Sequence, residues 1–125
     1  MARILVIDDE ALFLHAIARI LAVEGHNVRE APDRVTGLRL WRDEAADLVL
    51  TDIARSAIAG VEVIARLRAD GATVPIIAIS SNLAVSDLGL IRRIKALGAV
   101  HLLVKPFTSE QLMDVVTSAL AGPML

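Results

Sequence analysis

Residues 4–9 read Ile4-Leu5-Val6-Ile7-Asp8-Asp9: four apolar positions closed by two carboxylates. The pattern returns twice. Leu48-Val49-Leu50-Thr51 closes on Asp52, and Val100 to Val104 is followed by Lys105-Pro106-Phe107. Short runs that are apolar on both faces are the signature of strands buried in a parallel sheet. In such a sheet the strand ends share one edge, so three carboxylates and an ammonium far apart in sequence converge there.

Working outward, Ile76 to Ile79 reads as a further buried strand, and Asn27 to Ala31, shorter and more polar, as an edge strand. Amphipathic segments separate them. Glu10 to Glu24 places Phe13, Ile17, Ile20 and Leu21 on one helical stripe, and Gly25 stops it. Asp33 to Glu44 reads as the second helix. The third is expected over Gly60 to Asp70, with core residues Val63, Ile64 and Leu67. Ser86 to Leu97 reads as the fourth, capped by Ser86 and ended by Gly98. Thr108 opens the fifth with Gln111 three residues on, the spacing of a capping box, ahead of core residues Leu112, Val115, Val116 and Ala119.

Five successive β-α units joined by right-handed crossovers predict a three-layer α/β sandwich. The flavodoxin-like strand order 2-1-3-4-5 places its ligand crevice between strands one and three, the strands that end in Asp8-Asp9 and Asp52. A length of 125 residues fits a single domain over 1–125.

Composition narrows the function. With 55% hydrophobic and 22% charged residues the chain is not disordered, and a net charge of -2 leaves no footprint for nucleic acid. Without cysteine there are no disulfides, thiolate metal sites or thiol nucleophiles. The longest helix-like apolar stretch, Leu12 to Val23, is broken by His15 and Arg19, so no membrane span and a cytoplasmic location are expected.

Two carboxylates about 4 Å apart repel by roughly 4 kcal/mol at an effective dielectric near 20. Three at one crevice therefore call for proton sharing, a neighbouring cation or a bound metal. Oxygen donors with no His or Cys beside them select a hard divalent cation, Mg2+ or its substitute Mn2+. Lys105 adds a mobile positive charge suited to a phosphate oxygen, and Ser80 a hydroxyl at the same edge. A carboxylate so placed can attack phosphorus and form an acyl phosphate.

Asp8-Asp9-Glu10, Asp52, Ser80 and Gly98-Ala99 through Lys105-Pro106-Phe107, in this order, resemble a response regulator receiver domain of the stand-alone, chemotaxis-regulator-like kind. The resemblance covers residues 3 to 120. It implies that Asp52 accepts a phosphoryl group from a phosphohistidine on a sensor histidine kinase or phosphotransfer protein. Asp9 would bind Mg2+ directly, Asp8 mainly through water, and the Ala54 backbone carbonyl would be a further ligand. Lys105 would bridge to the phosphoryl group, Lys105-Pro106 would be cis, and Ser80 would move toward the phosphate to set the switch. Output would run through contacts with a downstream protein, and such a domain is not an enzyme in the metabolic sense.

The chain departs from that family in three places. The position three before Lys105, aromatic in the family, is Leu102. The loop after Asp52 lacks the usual Met-Pro pair and carries Arg55, a phosphate or kinase contact unless simply solvated. The segment from Ser80 to Ser86 is longer than usual, and Ala54 and Asn82 hold the positions that tune phosphate lifetime in the family. Leu14 and His15 on the first helix join Arg55 as candidate kinase-docking residues, with a plain surface histidine as the alternative for His15. Leu90, Ile94, His101 and Met113 are candidates for an apolar output or homodimer face, set against a wide core stripe. Two other functions remain open: a phosphorylation-independent adaptor with its switch disabled, and a small phosphotransferase or phosphatase using Asp52.

Overall fold

The computed structural model describes residues 2–53, 57–80, 88–98 and 100–121. Five strands, β1 (Arg3–Ile7), β2 (Asn27–Ala31), β3 (Leu48–Asp52), β4 (Ile76–Ser80) and β5 (Val100–Val104), alternate with five helices among the described residues. The helices are α1 (Ala11–Val23), α2 (Arg34–Asp43), α3 (Ala57–Ala69), α4 (Leu88–Ala96) and α5 (Ser109–Leu120). All strand pairs are parallel, as the apolar runs predict, and the order is β2-β1-β3-β4-β5, the flavodoxin-like order expected for five β-α units.

Alternation along the strands feeds two cores. Ile4, Val6, Leu48, Leu50, Ile77, Ile79 and Leu103 meet Leu14, Ile17 and Leu21 of α1 and Leu112, Val116 and Ala119 of α5. Leu5, Ile7, Val49, Ile76 and Ala78 meet Val63, Ile64 and Leu67 of α3 and Ile94 of α4, with Leu38, Leu40 and Trp41 of α2 packed alongside. The central strands are covered on both faces, so they carry no polar alternation.

Helix ends follow local rules. Thr108 accepts the Gln111 backbone N–H at 3.0 Å, and the Gln111 side chain accepts the Thr108 N–H at 2.8 Å, so the capping box is made. Gly98 ends α4 with φ of 72°, a left-handed turn that glycine adopts without strain. Gly37 is needed for a different reason. An added Cβ there would lie 2.5 Å from Cδ1 of Ile7, so α2 lies close on β1 one residue short of Asp8.

Three details correct the sequence expectations. In α1 the buried set is Leu14, Ile17, Ala18 and Leu21, with Phe13 and Ile20 only flanking it. Leu14 is 3% exposed, so it is a core residue and offers nothing to a docking partner. Ile94, expected at an output face, is 4% exposed and packs in the core that α3 shares. α3 begins at Ala57, three residues earlier than expected. No helix among the described residues is long and apolar enough to cross a membrane.

Candidate phosphoryl and metal site

Register assembles the site. Ile7 is paired with Thr51, so the residues that follow them, Asp8 and Asp52, come side by side at the strand ends. Asp52 is paired with Ile79, and Ser80 with Val104, which brings Ser80 and Lys105 to the same edge. The ladder runs on past the strands through Asp8 N–H to the Ala31 carbonyl (3.0 Å), Ile53 N–H to Ile79 (2.8 Å) and Lys105 N–H to Ser80 (2.7 Å). The side chains at this edge are thus carried on a fixed backbone.

Asp8, Glu10 and Asp52 each place a carboxylate oxygen within 4.8 Å of the other two. Asp9, expected as the direct metal ligand, is exposed and outside this cluster, which Glu10 joins. Glu10, the residue that opens α1, is extended (φ -93°, ψ 103°), and the chain bends just before it, at Asp9. The Glu10 N–H donates to Asp8 Oδ1 at 2.8 Å and locks the pair.

Lys105 neutralises part of this charge. Its ammonium donates to Asp52 Oδ2 at 3.3 Å and lies 3.7 Å from Glu10 Oε1 and 4.0 Å from Asp8 Oδ2. Among the described residues, one cation against three carboxylates leaves an excess of negative charge. Asp8 carries the strain: it is 2% exposed, and its Oδ2 is buried without a hydrogen bond. Burial pushes the Asp8 carboxyl up to about 6; the neighbouring Asp52 adds to the rise, while the Glu10 N–H and Lys105 oppose it. A buried carboxylate oxygen with no donor, facing two more carboxylates and no nitrogen or sulfur ligand, is a donor set that fits a hard divalent cation.

Ser80 is fully buried at the end of β4. The Lys105–Pro106 peptide is cis. Leu102 is paired with Ala78 and is 37% exposed. His15 is exposed, with its Nδ1 against the Glu30 carboxylate of β2. His101 and Met113 are half-buried, Met113 against the α1–α5 core. Ala54, Arg55, Asn82 and the rest of the 81–86 segment lie outside the described residues, as does the Leu90 side chain.

Two site neighbours escaped the sequence reading. Glu10 had only its acidity, directly after Asp8-Asp9, as a signal. Phe13 was assigned to the core stripe, but its ring lies against the Lys105 ammonium, 3.9 Å from centroid to Nζ.

Comparison with known proteins agrees with this geometry. A family model described as the response regulator receiver domain matches residues 4–117. Protein PilH of Pseudomonas aeruginosa is 32% identical over 124 residues, covering 98% of this chain and all of PilH. Response regulator MprA of a Mycobacterium species is 34% identical over 89% of this chain, but the match spans only 47% of MprA. Among solved structures, the receiver domain of NtrX from Brucella abortus superposes with a TM-score of 0.83 at 31% identity, over 96% of this chain and 99% of that one.

Proposed function

We propose, from the premise that this chain belongs to the response regulator receiver domain family of two-component signalling, that Asp52 accepts a phosphoryl group in an Mg2+-dependent reaction. One observation carries the reading: three strand-end carboxylates within 4.8 Å of one another, with the Lys105 ammonium 3.3 Å from Asp52.

In the proposed step a carboxylate oxygen of Asp52 forms a bond to phosphorus as the bond from phosphorus to the donor breaks. The donor is an imidazole nitrogen of a kinase or phosphotransfer protein, or the carboxylate of a small acyl phosphate. The electron pair of the broken bond leaves with the donor, and no proton need move at Asp52. Lys105 faces the charge that gathers on the transferred oxygens, and the bond from its backbone N–H to the Ser80 carbonyl holds its main chain at this edge. Asp8, Glu10 and Asp52 are the residues that would hold the ion. When bound, the ion supplies positive charge against carboxylate repulsion and against the phosphoryl oxygens. Ser80, buried beside them, is the hydroxyl placed to sense the new group. The signal then passes by protein contact to a downstream target.

A second reading has one residue in its favour. Leu102 stands where an aromatic residue would swing in the family, so a receiver-like adaptor that works without phosphorylation is the alternative. Incubation with acetyl phosphate, with and without Mg2+, separates the two by intact mass. A gain of one phosphoryl group that needs Mg2+ and disappears in Asp52→Ala is the expected result. No gain in the wild-type chain would overturn the phosphoacceptor reading and leave the adaptor.

A further inference from the structure

We infer that Phe13 is a positioning residue for Lys105, fixing the ammonium for phosphoryl transfer by offering it an aromatic face; the inference rests on Asp52 being the phosphoacceptor. The ammonium has two kinds of neighbour. On one side are the oxygens of Asp52, Glu10 and Asp8 at 3.3, 3.7 and 4.0 Å. The Phe13 ring is the other, its centroid 3.9 Å from Nζ. The lysine side chain is 19% exposed, so this contact is largely shielded from water, where a cation–π contact gains strength.

The ring is itself held. Phe107 meets it edge to face, with centroids 5.7 Å apart and planes at 77°, a favoured aromatic geometry. Phe107 lies two residues after Lys105, so the loop leaving β5 touches Phe13 twice, once with a cation and once with a ring. Both rings pack against the α1–α5 core. A lysine has a long flexible stem and three donors that can turn toward any of several oxygens. Three competing carboxylates alone would let the ammonium wander among them. The ring face does not titrate, binds no ion and makes no bond to phosphorus. Among the described neighbours of Lys105 it is therefore the one that stays the same before and after Asp52 is modified. Such a partner sharpens the starting position of the ammonium, which bears on the rate of transfer and leaves ion affinity alone.

The test uses the full chain as wild type, Phe13→Leu and Phe13→Tyr, with acetyl phosphate as the donor. Phosphorylation rate, the Mg2+ concentration for half-maximal rate, thermal unfolding and the NMR signal of the Lys105 ε-methylene are read for each. Phe13→Leu is expected to slow phosphorylation roughly 3- to 10-fold. It should leave the Mg2+ requirement within about twofold and erase the upfield ring-current displacement of the ε-methylene. Phe13→Tyr, which keeps the face, restores both. Equal loss of rate in the Leu and Tyr variants, an unchanged rate in Leu, or no displacement in the wild type would each overturn the inference. If the wild type takes up no phosphate at all, the phosphoacceptor reading fails by itself, and the ε-methylene signal still decides whether Phe13 holds the ammonium.

Discussion

Two aspartates guard helix entrances in this molecule, and their surroundings drive them in opposite directions. Asp33, at the start of α2, accepts the Thr36 N–H at 2.7 Å in open solvent, and that bond holds its carboxyl below the usual range. Asp8, just ahead of α1, accepts the Glu10 N–H at a nearly equal 2.8 Å, yet its carboxyl is pushed up to about 6. The backbone donor is the same kind in both places. Water is the difference: burial at Asp8 outweighs the hydrogen bond, and an adjacent carboxylate adds to the cost. The helices tell the same story. α5 opens with a complete capping box, while α1 has no side-chain cap, because Glu10 at its entrance turns toward Lys105. At the crevice, groups that elsewhere stabilise helices are given over to a cluster that destabilises the ion-free protein.

The largest effect expected from this contrast is at Asp8. A folded-state value raised from 3.8 to about 6 means that the native protein holds this proton more tightly than the unfolded chain. Ion-free stability therefore falls as pH rises from about 4 through 6 and stays low above, by at most about 3 kcal/mol. Asp8→Asn should remove that fall, raise stability at neutral pH in urea denaturation without divalent cations, and blunt the stabilisation that Mg2+ gives the wild type. A variant no more stable than wild type would break the comparison.

Next comes Thr108→Ala, which opens the capping box and should cost about 1 kcal/mol by the same denaturation measurement, equally with and without Mg2+. A loss that depends on the ion would mean that α5 is tied to the crevice more closely than its cap suggests. The smallest effect belongs to Asp33→Ala. Its carboxyl is held low, so the stability it contributes is present at neutral pH and is lost as pH falls through the folded-state value. A drop in Tm of roughly 2–5 °C at pH 7, vanishing in acid, is expected. The acid limb would then slope opposite to that of Asp8, and a shared slope would refute the contrast.

Fold and site were not equally legible in the sequence. Strands buried on both faces announce themselves as largely apolar runs, so β1, β3, β4 and β5 could be read directly, while their order came from the usual arrangement of five β-α units. Carboxylates at the ends of such runs could be read for the same reason. Helix phase could not. α1 carries apolar residues at 12, 13, 14, 17, 20, 21 and 23, enough for more than one stripe, and only packing on the sheet selects Leu14 over Phe13. The surplus apolar residues of α4 misled in the same way at Ile94. Glu10 joins Asp8 through a bend at Asp9 and the bond from its own N–H, which the abrupt change from apolar to acidic does not reveal. The Phe13–Lys105 contact joins residues 92 apart, and no local pattern carries it.

The sheet order has a consequence for synthesis. Asp8 and Glu10 leave the ribosome first and Asp52 midway, while Lys105 arrives only after β5 has been made. Until then a nascent chain with β1 and β3 paired would hold three carboxylates at one edge without their cation. The charge balance of the crevice is completed by β5, the last of the five strands in chain order, so a partner that needs the whole cluster encounters it only once β5 and Lys105 have been made.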